Sequence, residues 1–239
     1  MTILHSNKKI IVTGGNGRFG QVLKKENKRL NIFFPSKKIF NILNINSMKK
    51  YIRKIKPRYI IHCAGLSRPM DLHDKDINKS INLNIIGTAN IVNVCNEFNI
   101  KLIYFSTGYV YEGKKGNYSE KDPVLPINNY AWSKLGGECA VAMYKNSLIL
   151  RITMTEKPFP YKKAYSNLKS NFMYHEDLIE ILPKIINQKG IINVGGKSQS
   201  VFEFAKKNGR KVIKIKANKK NKLPLNQTMS LLKLKKILN

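Results

Sequence analysis

Apolar positions along this chain fall into short continuous runs, separated by segments where they recur every three or four residues. Residues 9–13 (Lys-Ile-Ile-Val-Thr), 31–34, 58–63 (Arg-Tyr-Ile-Ile-His-Cys), 101–105, 147–152 and 191–194 are runs of the first kind. Rich in Ile and Val and bounded by Gly, Pro or charge, they read as buried strands. Between them, residues 17 to about 28, 47–55, 81–98, 130 to about 144 and 176–186 carry helical spacing, with Pro57 closing the second. Ile81, Ile85, Val92 and Cys95, for example, step by three or four residues or by multiples of that. Strands alternating with helices predict an α/β fold whose doubly wound parallel sheet is covered on both faces. This domain is expected over residues 1–152, continued by 173–196. Residues 153–172 and 197–239 hold turn signals and charge instead, and are expected to form a small substrate-binding lobe completed at the C-terminus. Within it, the Lys-rich stretch 211–222 reads as a solvated strand and loop.

A chain of 239 residues can bury a sizeable core. Its charge is unusual: 44 basic and 14 acidic residues give +30. The lysines are dispersed, and Ile and Asn are abundant too, so drift of exposed positions explains the charge better than a dedicated nucleic-acid surface does. Nucleic acid is therefore not the expected partner, although the field would help to hold a phosphorylated ligand. Cys63, Cys95 and Cys139 are widely spaced with no Cys-x-x-Cys. That pattern points to a reducing compartment, the cytoplasm, and gives no metal site. No apolar run approaches the ~20 residues of a membrane span, and no signal-peptide core is visible.

Two clusters carry chemistry. In Thr13-Gly14-Gly15-Asn16-Gly17-Arg18-Phe19-Gly20, Gly14 permits a tight turn off the strand and Gly17 lets a pyrophosphate approach the backbone. Gly20 lets the helix pack closely on the sheet, so the anion meets a helix N-terminus. Such a strand–glycine–helix unit predicts a Rossmann-type dinucleotide site using Gly14, Asn16, Gly17, Arg18, Phe19 and Gly20. The second strand leads into Phe34-Pro35-Ser36-Lys37-Lys38, with no acid to hold ribose hydroxyls. Ser36, Lys37 and Arg18 suit a 2′-phosphate, so NADP is preferred and NAD possible.

The second cluster is Tyr130 with Lys134, one helical turn apart on one face. A nearby ammonium favours phenolate, so Lys134 is expected to lower the pKa of Tyr130 and let it trade a proton near neutral pH. Upstream, Ser106-Thr107 ends another apolar run. Cradle, hydroxyl and tyrosine–lysine pair, in that order, describe a nicotinamide-dependent carbonyl reductase.

With these residues in place, the chain resembles the extended short-chain dehydrogenase/reductase superfamily, and within it the dTDP-4-dehydrorhamnose reductase-like sugar-nucleotide reductases. Besides residues 13–20, the resemblance rests on His62-Cys63-Ala64-Gly65, Asn84-Ile85-Ile86-Gly87-Thr88 and Phe105-Ser106-Thr107-Gly108-Tyr109-Val110-Tyr111. Residues 129–138 around Tyr130 and Lys134, and Asn193-Val194-Gly195-Gly196, complete it in family order.

The resemblance implies that Thr107 hydrogen-bonds a substrate carbonyl, that Tyr130 donates the proton and that Lys134 holds the nicotinamide ribose. Ala64 and Gly65 would line the cofactor. Asn41-Ile42 falls where the family often has Asp-Ile against the adenine, and the amide leaves that contact open. Ser67, Arg68 and His73 lie on a loop at the ligand edge of the sheet, either touching substrate or in solvent. A homodimer through helices 81–98 and 130–144 is also implied, with Trp132 at the pocket rim or the subunit contact. His62 reads as a core or cofactor-proximal residue and His175 as structural. Two departures stand out. Gly108 replaces a common family Asp, which disfavours a dehydratase, and the segment after Arg151 is short. Open alternatives are an epimerase that keeps NAD bound, and a non-catalytic NADP-binding regulatory subunit of another enzyme.

Overall fold

The computed structural model describes residues 8–27, 30–207, 211–218 and 223–239. The expected end of the first helix at Lys28, residues 1–7 of the expected nucleotide-binding domain and residues 219–222 of the Lys-rich stretch lie outside the described residues.

Six strands form the central sheet: β1 (Ile10–Thr13), β2 (Ile32–Phe33), β3 (Tyr59–His62), β4 (Lys101–Thr107), β5 (Ser147–Ile152) and β6 (Gly190–Val194). Every pairing is parallel, in the order β6-β5-β4-β3-β1-β2. Chain direction across the sheet reverses between β1 and β3, the switch point where ligands bind in such folds. Strand alternation splits the apolar residues between two cores. Ile10, Val12, Ile61, Ile103 and Leu150 pack on one face beneath α1 (Arg18–Glu26) and α5 (His175–Ile185). Ile11, Ile60, Leu102, Tyr104 and Ile149 pack on the other, under α2 (Ile45–Ile55), α3 (Gly87–Glu97) and α4 (Asn129–Ala142). Because both faces are covered, the strands read as continuous apolar runs. The fold is the expected Rossmann-type sheet.

The expected helix over 81–98 is built differently. An α-helical turn over Ile77–Ile81 passes into a π-helical turn over Asn82–Ile86 before α3 begins. The π turn places Asn84 toward the sheet edge. Its amide exchanges hydrogen bonds with the Leu66 backbone (Nδ2 to O 2.8 Å, N to Oδ1 2.7 Å) and donates to Ser133 Oγ at 2.8 Å. Asn84 thereby ties the loop after β3 to α4.

A second, smaller core lies beside the sheet's ligand edge. Phe159, Leu168, Tyr174, Val201 and Phe204 cluster there, between two-residue and three-residue strand pairings such as Lys163–Tyr165 with Ile213–Ile215. A helix over Val201–Lys206 closes it. The final helix, α6 (Leu232–Leu238), returns to the sheet, packs on α5 and β6, and buries Leu234 in the first core.

Candidate active site

Gly14 has φ +72°, and a Cβ there would lie 2.7 Å from the Ala64 amide nitrogen. Only glycine lets β1 turn this close to the end of β3. At Gly20 a Cβ would sit 2.6 Å from the Gly15 α-carbon, so the missing side chain sets how tightly α1 lies on the turn. The Gly17 N–H donates to the Gly14 carbonyl at 2.8 Å. α1 starts with no side-chain cap and no acid in its first turn, which leaves backbone N–H groups for an anion. The cradle fits a dinucleotide pyrophosphate.

Behind it, His62 is buried and threads a polar chain through the apolar sheet. Thr88 Oγ1 gives its proton to the Asn84 carbonyl and so accepts from His62 Nε2 at 3.1 Å. That leaves Nδ1 of the neutral ring to accept from Thr13 Oγ1 at 2.8 Å, while Thr13 Oγ1 accepts from the Ala64 N–H at 3.1 Å. Burial, with Lys134 nearby, pushes the imidazole down to about 3, so it stays neutral.

Thr107 ends β4, and Tyr130 lies in the first turn of α4, whose cap residue Asn128 accepts from the Ala131 N–H at 2.9 Å. The Thr107 side chain lies near enough to the Tyr130 phenol to act on its pKa, and Thr107 Oγ1 itself accepts from the Tyr109 N–H at 3.2 Å. His73 and Tyr109 pack edge-on to its ring, with centroids 5.2 and 6.0 Å away. The expected acidification by Lys134 needs correction. Burial raises the Tyr130 pKa above that of an ordinary phenol, and what partly offsets it is the Thr107 side chain with the fields of Arg68 and Arg18. Lys134 instead sits with Nζ 4.2 Å from the Tyr104 ring centroid, and burial lowers its own pKa to about 8 against the opposing pull of Cys63 and Glu138. Helical spacing alone brings the two residues to one face. Tertiary packing decided which cation the phenol feels.

The pair is fixed from below. Glu138, one turn after Lys134, accepts from Ser106 Oγ at 2.6 Å and from Arg151 Nε and Nη2 at 3.0 and 2.5 Å. Arg151 Nη1 in turn donates to the Tyr111 hydroxyl at 2.8 Å. This buried ion pair locks the end of β4, the end of β5 and helix α4 into one body.

Thr107, Tyr130 and Lys134 open into the same cleft as the cradle, a space of about 1090 Å³. Gly14, Asn16, Gly17, Arg18, Phe19, Gly20, Ala64, Gly65, Ser67 and Arg68 line it as well. Four expected cofactor residues do not. The Ser36 carbonyl accepts from the Ile39 and Phe40 N–H groups and so closes a turn that also holds exposed Lys37. Asn41 Oδ1 accepts from the Leu43 N–H at 3.0 Å, and Ile42 is buried against Gly87. Near the end of β2 the cradle meets Phe34 and Lys24, whose Nζ donates to Asn16 Oδ1 at 3.0 Å and lies 5.2 Å from the Phe34 ring centroid.

Other lining residues were not visible in the sequence: Cys63, Tyr109, Thr153, Phe159 and Tyr161, with Glu156 beside them. His175, expected to be structural, also lines the cleft, and burial lowers its pKa to about 4. His73 is not in solvent. It is buried, paired with Ser80 Oγ at 2.7 Å. Trp132 is half-exposed and lies outside the cleft. Among the described residues no cluster of three metal-ligating side chains occurs, and no helix is long and apolar enough to cross a membrane.

Residues 8–165 match the family model described as RmlD substrate binding domain. Among curated proteins, methionine adenosyltransferase 2 subunit beta of Pongo abelii is 31% identical over 144 residues, covering 56% of this chain and 43% of that protein. A dTDP-4-dehydrorhamnose reductase of Aggregatibacter actinomycetemcomitans is 27% identical over 152 residues, covering 62% of this chain and 51% of its own length. Each match thus spans about half of the curated relative or less. Among solved structures, the dTDP-4-dehydrorhamnose reductase of Bacillus anthracis in complex with NADP superposes with a TM-score of 0.82 at 25% identity, covering 95% of this chain and 91% of that one. The matched region takes in the cradle, Thr107, Tyr130 and Lys134, and the chain belongs to the RmlD substrate binding domain family.

Proposed function

We propose that the protein reduces a nucleotide-linked keto-sugar with NADPH, NADH being a possible substitute, in the cytoplasm. The observation that carries this reading is the Tyr130 phenol, sharing one cleft with Thr107, Lys134 and the glycine cradle. Gly14, Asn16, Gly17, Arg18, Phe19 and Gly20 would hold the dinucleotide, with Ala64 and Gly65 beside it. Bound there, the reduced nicotinamide supplies the hydride. As charge develops on the substrate's carbonyl oxygen, the hydroxyls of Thr107 and Tyr130 stabilise it, and Tyr130 gives up its proton to complete the alcohol. The raised pKa of Tyr130 keeps that proton in place until the oxygen becomes basic. Lys134 contributes a positive field and a donor for the ribose.

The helices bearing Ile81, Ile86 and Trp132, all exposed by more than a third, form the face on which we place a homodimer. Ser67 and Arg68 lie on the substrate side. The substrate lobe, in this reading, is residues 153–172 and 197–239, set against a nucleotide-binding domain of residues 1–152 and 173–196.

The deciding experiment is an NADPH-oxidation screen against 4-keto-6-deoxy sugar nucleotides, with mass spectrometry of the products. Saturable turnover that yields a product two hydrogens heavier supports the reductase. An isomer of unchanged mass with no net NADPH loss would identify an epimerase. The similarity to a methionine adenosyltransferase subunit favours a second reading, a cofactor-binding subunit of another enzyme. NADPH binding without turnover of any sugar nucleotide, together with co-purification of a catalytic partner, would support that reading instead.

A further inference from the structure

Arg18, Arg68 and Glu156 come from three separate parts of the chain and meet at the cleft. Arg18 opens α1 at the cradle, Arg68 follows β3, and Glu156 lies beyond β5. Arg18 Nε is 3.2 Å from Glu156 Oε1, and Arg68 Nη1 is 3.2 Å from Oε2. Arg18 Nη2 donates to Ser67 Oγ at 2.8 Å, and Thr155 Oγ1 donates to Glu156 Oε2 at 3.1 Å. The Arg68 guanidinium also lies 5.2 Å from the Tyr161 ring centroid. Both arginines line the cleft, whereas Glu156 does not. Its carboxylate bridges them.

Two guanidiniums repel each other, and a carboxylate shared between them is what keeps them adjacent. One carboxylate leaves the trio with a net positive charge, and it engages only part of each arginine's fork of five N–H donors. Both arginines line the cleft that also holds the pyrophosphate cradle and Tyr130. Planar, paired guanidiniums suit phosphate oxygens, which accept two parallel hydrogen bonds from each.

Resting on the sugar-nucleotide reading, we propose that Arg18 and Arg68 form one diphosphate clamp and that Glu156 is its positioning residue. The diphosphate belongs either to the dinucleotide or to the sugar nucleotide. Because Glu156 acts through the arginines, removing it weakens anion binding, whereas simple loss of a negative charge would tighten it. The sign of the effect therefore tests the assignment.

The experiment is titration calorimetry of the full chain with inorganic pyrophosphate, NADPH, and dTDP in the presence of saturating NADPH. Arg68→Gln is expected to weaken pyrophosphate roughly tenfold, the size expected for losing one charge-assisted donor pair. Glu156→Ala should weaken it about threefold or more, Glu156→Asp should restore part of the loss, and the loss in the Glu156→Ala/Arg68→Gln double variant should fall short of the sum of the two single losses. An effect on NADPH assigns the clamp to the dinucleotide, and an effect confined to dTDP assigns it to the sugar nucleotide. Unchanged thermal melting of the variants excludes a folding defect, and Glu156→Asp provides the milder variant should Glu156→Ala unfold. Equal or tighter pyrophosphate binding in Glu156→Ala would overturn the positioning role. An Arg68→Gln variant indistinguishable from the parent with all three probes would overturn the clamp. These titrations need no turnover, so a protein that passes them yet fails to oxidise NADPH refutes the reductase reading and leaves the clamp standing.

Discussion

The two walls of the cleft are built to different specifications. On the sheet side, Thr107, Tyr130 and Lys134 stand on a seven-residue strand and a fourteen-residue helix, fastened together by the buried Ser106–Glu138–Arg151 network. On the lobe side, Thr155, Phe159 and Tyr161 stand on short strand pairings and connecting chain around a small aromatic cluster. In the proposed reading Thr107, Tyr130 and Lys134 are the reacting groups, and reacting groups need positions fixed to a fraction of an ångström, which long elements with a covered core provide. Groups that select a substrate can sit on segments that change without unravelling the sheet. On this comparison, damage to the sheet wall should abolish folding or turnover, and damage to the lobe wall should alter substrate binding first.

The largest effect should follow from Glu138→Ala, which leaves Arg151 buried without its carboxylate. Breaking such a pair costs about 3–5 kcal/mol, read as a lower urea midpoint. A variant as stable as the parent would mean the network is not what joins the strand ends to α4. Next comes Tyr130→Phe, expected to keep cofactor affinity and lose kcat by ~10²-fold or more, a typical general-acid contribution. Near-normal reduction by that variant would remove Tyr130 from the chemistry.

Acid should act on the sheet wall through His62. Its folded-state pKa of about 3 lies below the ordinary value of 6.5, so the unfolded chain takes up the proton first. Stability is then full above pH 6.5 and is lost as pH falls toward 3, by ~2 kcal/mol between pH 6.5 and 5. Denaturation at both pH values, in the parent and in His62→Asn, tests this. An equal pH slope in the two proteins would contradict it.

At the alkaline side, Lys134 loses its charge above about pH 8 while Tyr130, its pKa raised, keeps its proton. We expect kcat/KM to fall above pH 8. A limb that stays flat to pH 9.5 would show that the ammonium is not required.

The smallest effect belongs to the lobe. Asn167 accepts from the Ala217 N–H at 2.8 Å and donates to the Ala217 carbonyl at 2.9 Å. Asn167→Ala should cost about 1–2 kcal/mol locally and raise KM more than it lowers kcat. A reversed pattern would erase the distinction between the walls.

Periodicity alone determined the parallel sheet, because strands covered on both faces must be apolar throughout and their crossovers must be amphipathic. It also located Gly14, Gly17 and Gly20, whose missing side chains answer a local steric need, and the one-turn spacing of Tyr130 and Lys134. Contacts between distant segments were beyond its reach. Nothing near Glu156 in the chain announces Arg18 and Arg68, which lie 138 and 88 residues away. Nor does local spacing reveal that Lys134 faces Tyr104, or that Leu234, in a stretch read as lobe, completes the core under the sheet. Local sterics and periodicity act between neighbours and are written in order along the chain. Electrostatic partnership and burial depend on which segments the fold brings together, and only the tertiary structure settled those.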